Sequence, residues 1–229
     1  MTASGHFVYN EGMIKALAPN VFERHVIPEG TDWTLYHHLI VTSEANVFID
    51  AGLGPRGMTE LALYADPSKP YWLIYTHHHF DHVWGAEALR FNRIIAGETF
   101  NDRLLADYEV SLAYYKSIQE GPAACVFADT LVQYRTLLGE LVLIPAPGHT
   151  SDGLMIHVPS LGFLFTGDNL PDHGKGPLPD LEDPVAYRTT LESILRTQAH
   201  TLIGSHDEPR PATDVSILMK ALNHESTIG

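Results

Sequence analysis

Four predicted strands of this chain each end on residue types that bind metal ions, and this recurrence constrains the fold more than any other feature. The first such end follows the short apolar run 71–76, which is typical of a buried strand. The ligand-type residues at the four ends are His77, His79, Asp81 and His82, then His149, then Asp168, and finally His206. Because binding sites are normally built in loops at one end of a rigid sheet, the pattern predicts one metal site on a sheet edge.

The first motif has the spacing of a metal-binding segment. Residues two apart in an extended chain point the same way, so His77 and His79 can hold one metal ion together. Asp81 and His82 follow where the chain turns, and they can point at a second position nearby. His78 has the opposite direction to its neighbours, and we interpret it as a structural residue.

Strands and helices alternate in two halves, with a helical stretch between them. Strands are predicted over 21–27, 34–42, 45–50, 71–76, 93–96, 137–145, 154–158, 162–166 and 201–205. Helices are predicted over 58–64, 85–91, 98–119, 183–197 and 212–223. Asp183 before Pro184 is a favourable helix start, and Gly121-Pro122 is a stop signal. The pattern fits helix–sheet–sheet–helix layers and also an open α/β sheet.

Composition and charge narrow the function classes. Hydrophobic residues make up 45% and charged residues 18% of the 229 positions, which is a globular balance. A formal net charge of −14 opposes binding to nucleic acid and to anionic membranes. The first twenty or so residues do not have a signal-peptide pattern and no stretch is long enough to span a membrane, so a cytoplasmic enzyme is expected. The lone Cys125 is expected to be a buried apolar residue.

These motifs resemble the metallo-β-lactamase superfamily. The order His-x-His-x-Asp-His, Gly-His-Thr, Gly-Asp and a late His matches, and Asp50 matches its early aspartate. The resemblance covers about residues 21–206. It implies an α/β protein with an αββα four-layer sandwich and the site at one edge. We expect a single domain over 1–229, with a helical insertion at about 98–122.

The resemblance also implies a ligand set and a reaction. His77, His79 and His149 would hold one metal ion; Asp81, His82 and His206 would hold a second; and Asp168 would bridge the two. Asp50 would orient a ligand histidine, as metal sites generally need. The expected cofactors are two divalent ions, zinc first, with iron or manganese as alternatives. A shared water would then attack a small ester, thioester or lactone, with Asp81 and Asp168 as the catalytic carboxylates.

Departures from the subfamilies narrow the substrate. The commonest true β-lactamases carry cysteine at the position of Asp168, and flavodiiron proteins carry glutamate at that of His79. Acyl-homoserine lactonases place a tyrosine shortly after the bridging aspartate, where this chain has Asn169-Leu170-Pro171. The glyoxalase II group is closer in its metal set, but its helical extension that grips glutathione is not expected here.

Two segments are candidates for the substrate pocket. The loop 172–181, with His173 and Lys175, either lines the pocket or is a plain surface loop. The stretch 98–119 either caps the cleft or packs in the core. Its tyrosines would contact the substrate in the first case and lie in the core in the second. These tyrosines are Tyr108, Tyr114 and Tyr115.

Two further function classes stay open from sequence. One is a mononuclear iron oxidoreductase similar to the persulfide dioxygenases, which would use the equivalents of His77, His149 and Asp168. The other is a non-catalytic binding module, which the intact seven-ligand set opposes. The expected partner is a small-molecule substrate, with no nucleic acid and no membrane, and a homodimer is left open.

Overall fold

Two β-sheets pack face to face in the computed structural model, which describes residues 13–28, 31–118, 124–172 and 175–225. The first sheet has seven strands in the order of the chain. They are β1 (Met13–Ala18), β2 (Val21–Val26), β3 (Leu35–Val41), β4 (Asn46–Ile49), β5 (Tyr71–Ile74), β6 (Arg93–Gly97) and β7 (Thr130–Val132). The second sheet has six strands in the order β13-β12-β11-β10-β9-β8. They are β8 (Thr136–Leu138), β9 (Leu141–Pro145), β10 (Leu154–Val158), β11 (Phe163–Gly167), β12 (Thr201–Gly204) and β13 (Arg210–Pro211).

The strand directions bring the motif-bearing ends together. Strands β4, β5, β6 and β7 run parallel, and Ile49 of β4 pairs with Ile74 of β5. In the second sheet, β11 and β12 are also parallel. Parallel neighbours end at the same edge of a sheet, so Asp50 lies beside the segment that begins the histidine motif, and Asp168 lies beside the loop of His206.

The core between the sheets is built from alternating positions of strands that are apolar on both faces. Val47 and Ile49 of β4 pack into the core between the sheets, together with Ile74. The intervening Phe48 packs on the opposite face, together with Leu73 of β5. Both faces of the central strands are therefore covered, and the sheet cannot be an outer layer.

Helices cover the outer face of the first sheet. They are α1 (Pro55–Ala62), α2 (Phe80–Val83), α3 (Phe100–Ala106) and α4 (Tyr108–Ile118), with a short 3-10 helix over Ala86–Ala88. Met58 of α1 and Phe100 of α3 pack in one cluster with Phe48. This cluster is the second core of the molecule.

The second sheet is covered by two helices of its own. They are α5 (Pro184–Thr197) and α6 (Val215–Glu225), and a 3-10 helix over Ala212–Asp214 comes directly before α6. Tyr187 and Leu218 pack with Met155 of β10 in a third core. The four layers confirm the predicted αββα sandwich. Among the described residues no helix combines the length and apolar character needed to cross a membrane.

Several predicted elements differ from the structure. The predicted helix 98–119 is two helices that meet at Asp107, and its end beyond residue 118, with the Gly121-Pro122 stop, lies outside the described residues. The predicted helix 85–91 is wrong, because only the short 3-10 helix forms there. A Cβ on Gly85 would lie 2.2 Å from the carbonyl oxygen of Ala51, so backbone contact fixes this turn. The short strands β1, β7 and β13 were not predicted.

Candidate metal centre

All seven predicted ligand residues come together at one edge of the sandwich, in two adjacent groups. In each group, potential ligand atoms of the members lie within 4.8 Å of one another. The first cluster is His77, His79, His149 and Asp168. The second cluster is Asp81, His82 and His206. Each group is composed of imidazole nitrogen and carboxylate oxygen, which are ligands for zinc and other first-row metals.

The three histidines of the first cluster come from two loops. His77 and His79 follow β5 directly, and the Nε2 of His77 lies 3.0 Å from the Nδ1 of His79. His149 comes from the loop between β9 and β10, and its Nε2 lies 3.1 Å from the same Nδ1. Three ring nitrogens therefore face one point from two directions, as the spacing of the first motif predicts.

The second cluster is built on α2 and the end of β12. The Oδ1 of Asp81 lies 3.6 Å from the Nε2 of His82, and its Oδ2 lies 3.3 Å from the Nε2 of His206. Asp81 and His82 are side by side in the first turn of α2, where the chain leaves the extended motif. The change from extended chain to helix thus turns two of the motif's side chains toward a second point.

Asp168 lies between the two clusters. Its Oδ2 is 3.5 Å from the Nε2 of His77 and 3.7 Å from that of His149. The same oxygen is 3.4 Å from the Nε2 of His82 and 3.2 Å from that of His206. One carboxylate oxygen therefore lies within 3.7 Å of two histidines of each cluster.

The outward nitrogens of the histidines are held by acceptors. The Nδ1 of His149 donates to the carbonyl oxygen of Asp180 at 2.7 Å, and the Nδ1 of His206 donates to that of Thr34 at 2.9 Å. The Nδ1 of His82 donates to the Oδ2 of Asp50 at 2.9 Å. Since these acceptors fix the proton on Nδ1, a neutral ring presents its Nε2 lone pair to the cluster.

Asp50 orients one histidine of each cluster. Its Oδ1 accepts from the backbone N–H of Thr76 at 2.6 Å, and its Oδ2 accepts from the Thr76 hydroxyl at 2.8 Å as well as from His82. The Thr76 Oγ1, having donated its proton to Asp50, accepts from the Nδ1 of His77 at 3.0 Å. This geometry agrees with the orienting role expected for Asp50.

The electrostatics of the centre fit a bound cation. Burial favours the uncharged form of Asp168, but His206, His82 and His77 outweigh it and hold the pKa of the carboxyl well below its usual range. Burial likewise lowers the pKa of His82, and the carboxylates around it reverse this and raise it well above its usual value. The buried Nε2 of His82 and Oδ1 of Asp168 have no hydrogen-bond partner. Buried polar atoms are rarely left so, and a cation would satisfy both.

A cavity of about 560 Å³ opens onto both clusters. Its apolar wall is formed by Trp33, Phe80, Leu170, Leu178 and Pro179. Asp172, Lys175 and Asp180 of the predicted pocket loop also line it, which confirms that loop as part of the pocket. His173 lies outside the described residues.

The tyrosines of the helical stretch divide between core and cavity. Tyr115 is buried and stacks on Trp84 with ring centroids 4.5 Å apart, and Tyr108 packs on the same indole. Tyr114 is exposed and stacks on Phe80 at 5.0 Å. The core interpretation is therefore right for two of them, whereas Tyr114 supports the cavity wall.

Two wall residues escaped the sequence analysis although one of them lies inside the first motif. Phe80 sits between the ligand positions, so its place in the motif was a usable signal. The ring of Trp33 packs edge-on against that of His206, with ring centroids 5.4 Å apart. Trp33 lies in the loop before β3, where no periodic pattern could have indicated its role. Cys125 is half-buried against the outer core, where burial raises the pKa of its thiol. It belongs to neither cluster, and the expectation of a buried apolar residue is met only in part.

Comparison with protein families and curated proteins gives one consistent likeness. The family model of the metallo-beta-lactamase superfamily matches residues 37–206. A hydroxyacylglutathione hydrolase of Mesorhizobium japonicum is 26% identical over 140 residues, which is 60% of this chain and 49% of that protein. One of Cereibacter sphaeroides is 33% identical over 108 residues, which is 46% of this chain and 36% of that protein. The chain thus spans about half or less of the length of these two relatives.

Solved structures share the fold over nearly the whole chain. The metallo-beta-lactamase FIM-1 from Pseudomonas aeruginosa, in its mono-zinc form, superposes with a TM-score of 0.76 at 17% identity, covering 95% of this chain and 97% of that one. A metallo-beta-lactamase from Erythrobacter litoralis gives 0.74 at 19% identity, covering 94% and 98%. At such identities the likeness establishes the fold.

Proposed function

Because the chain belongs to the metallo-β-lactamase superfamily, we propose that it is a metal-dependent hydrolase that holds two divalent ions, zinc in the first instance. The proposal depends most on the position of the Asp168 Oδ2. This oxygen lies 3.2–3.7 Å from the Nε2 atoms of two histidines in each cluster. A carboxylate so placed between two groups of imidazole nitrogens is suited to bridge a pair of cations.

Each cluster would hold one ion. His77, His79 and His149 would bind the first, with Asp81, His82 and His206 binding the second and Asp168 shared. When bound, the ions supply an acidified water as nucleophile near neutral pH and polarise the carbonyl oxygen of the substrate. No serine or cysteine nucleophile is then required.

The protein's own groups prepare this chemistry. Asp81 is buried, lines the cavity and directs its two oxygens at His82 and His206. Its carboxylate is therefore placed to orient an attacking water and to accept its proton, and we assign it with Asp168 as catalytic. The wall residues Trp33 and Phe80 limit the access of bulk water on the apolar side.

A small acyl compound is the proposed substrate, whether ester, thioester or lactone. The cavity volume of about 560 Å³ lies within the range of small-molecule sites. The names of the curated relatives indicate an acyl thioester. The net charge of −14 supports the expectation that nucleic acid is not the substrate.

The mononuclear iron oxidoreductase is not favoured. It would use His77, His149 and Asp168 alone, and the residues of the second cluster would then bind no metal ion. In that cluster His82 and His206 each have their outward nitrogen held by an acceptor, as metal ligands generally need. A decayed binding module would not be expected to retain these contacts.

The test combines metal analysis with turnover. Protein purified without a His-tag should contain two metal ions per chain, and it should hydrolyse members of a panel of p-nitrophenyl esters, thioesters and lactones until a chelator is added. Asp168→Ala and His79→Ala should abolish turnover, whereas the control Asp102→Ala, on the exposed side of α3, should not. Unchanged rates in both site variants, or a single iron with oxygen uptake, would refute the proposal.

A further inference from the structure

His78 is the one histidine of the first motif that points away from the clusters. Its side chain is 2% exposed, and both ring nitrogens meet carboxylates. The Nδ1 lies 2.9 Å from the Oδ1 of Asp152, and the Nε2 lies 2.9 Å from the Oδ2 of Asp107. Because a carboxylate oxygen accepts, the ring nitrogen is the donor wherever one of these contacts carries a proton. His78 thus joins two distant segments across the back of the first cluster.

The contact with Asp107 continues into the helical layer. Asp107 stands where α3 ends and α4 begins, and its backbone N–H donates to the carbonyl oxygen of Arg103 at 3.0 Å. The guanidinium of Arg103 lies 3.4 Å from the Asp107 carboxylate and also pairs with Glu182. The link therefore runs from the histidine motif, through the junction of two helices, to the segment before α5.

Glu182 returns the link to the loop that carries His149. Its Oε2 accepts from the backbone N–H of Ser151 at 3.2 Å, and its own N–H donates to the carbonyl oxygen of His149 at 3.3 Å. Ser151 is followed by Asp152, which binds His78. The contacts form a closed polar circuit, made of His78, Asp107, Arg103, Glu182, Ser151 and Asp152.

The circuit has little freedom to shift on the side of Asp152. The side chain of Asp152 is fully buried, and its backbone is pressed against β6. A Cβ on Gly97 would lie 2.1 Å from the carbonyl oxygen of Asp152, so that only glycine allows this approach. A displacement of His78 would therefore be transmitted to the His149 loop.

We propose that His78 is a positioning residue that fixes the His149 loop against the His77–His79 segment through this polar circuit. The inference rests on the proposed metal site. The second cluster is oriented by other groups, since Asp50 holds His82 and the carbonyl of Thr34 holds His206. Opening the circuit should weaken metal binding in the first cluster and leave the second unchanged. Loss of a partner that orients ligands typically lowers metal affinity about 10- to 100-fold.

The test separates the clusters by removing one ligand from the other. In a His206→Ala background the first cluster is intact, and in a His149→Ala background the second is intact. Zn²⁺ affinity is measured in each by competition with a chromophoric chelator. His78→Phe should weaken binding about 10- to 100-fold in the first background and have no effect in the second.

Two milder variants keep the test valid if His78→Phe does not fold. Asp107→Ala and Glu182→Gln change side chains that are 46% and 39% exposed, and each opens the circuit at another point. Both should weaken zinc binding in the His206→Ala background. The matched control is Glu192→Gln, which breaks an exposed pair with Arg196 on α5 and should change nothing.

Three outcomes would overturn the inference. Folded circuit variants that bind zinc as tightly as their parent in the His206→Ala background would show that the circuit does not position His149. Equal weakening in both backgrounds would indicate general loosening. If the wild-type protein binds no zinc at all, the proposed function fails and the inference fails with it, a result distinct from the first two.

Discussion

Replacing the buried Asp50 by asparagine tests whether its charge and its hydrogen bonds hold the metal centre in place. Asp50 is 3% exposed and accepts hydrogen bonds from the Thr76 backbone, the Thr76 hydroxyl and the Nδ1 of His82. Asparagine offers one acceptor oxygen and one amide NH₂ group. If the oxygen stays on the backbone N–H of Thr76, the amide N–H faces the N–H of His82. If the side chain is flipped, the amide N–H faces the backbone N–H of Thr76, so two donors oppose each other in both orientations.

The expected cost follows from that collision. One hydrogen bond to a charged group is lost, at about 1.5–3 kcal/mol, and a buried donor is left without a partner, at about 1–3 kcal/mol. We therefore expect Asp50→Asn to lower the free energy of unfolding by about 3 kcal/mol. For a chain of this size, 1 kcal/mol corresponds to about 2–4 °C, so the Tm of the metal-free protein should fall by about 6–12 °C.

In the first orientation, His82 can avoid the opposing donor only at the expense of metal binding. If its proton moves from Nδ1 to Nε2, the two donors no longer clash, but Nε2 then has no lone pair for a cation. Whatever stability is recovered should appear as a loss of zinc affinity, of about 10- to 100-fold. The variant is thus expected to be less stable, weaker in zinc binding, or both.

The assay is thermal unfolding of chelator-treated protein followed by circular dichroism, with zinc competition on the same samples. The control is Asp66→Asn, which alters a partly exposed carboxylate bound to Ser68 and should cause a much smaller shift. An Asp50→Asn protein with a Tm within about 2 °C of the parent and unchanged zinc affinity would refute the reasoning, because in either orientation of the asparagine a donor faces the N–H of His82 or that of Thr76.

Three further predictions concern the supports of the site. Gly148 has φ +141°, and a Cβ there would lie 2.6 Å from the Cα of Tyr187, so Gly148→Ala should lower both the Tm and the zinc affinity as it displaces His149. Asp183 accepts from two backbone N–H groups at the start of α5, so Asp183→Ala should cost about 1 kcal/mol in urea unfolding, with ester hydrolysis retained. Removing the metal with a chelator should lower the Tm, and added Zn²⁺ should restore it, since a ligand at 100 times its Kd stabilises the folded state by about 2.7 kcal/mol. A Tm that does not respond to either treatment would contradict the metal site.

The clustering of the ligands was accessible from sequence because it depends on local rules. Alternation in an extended segment places His77 and His79 on one side, and parallel strands place their ends on one edge. The structure brings the seven residues together as that reasoning expects.

The break in the predicted helix 98–119 was not accessible in the same way. The residues around Asp107 have helical periodicity on both sides, and aspartate is only mildly unfavourable inside a helix. The break coincides with the contact between Asp107 and His78, which are 29 positions apart in the chain. A contact of this kind overrides local propensity, and a single sequence does not reveal it.

The first motif shows how site and fold are joined within one short segment. Its alternate positions serve different purposes: His77 and His79 face the first cluster, whereas His78 faces the scaffold and Phe80 faces the cavity wall. Thr76, just before them, takes its orientation from Asp50. A change at a ligand position should therefore alter the number of metal ligands, whereas a change at the intervening position should alter only the distances between them. Variants at a ligand position should therefore change the number of metal ions bound per chain, whereas variants at the intervening position should change the affinity for metal. Activity measurements alone would not reveal this difference.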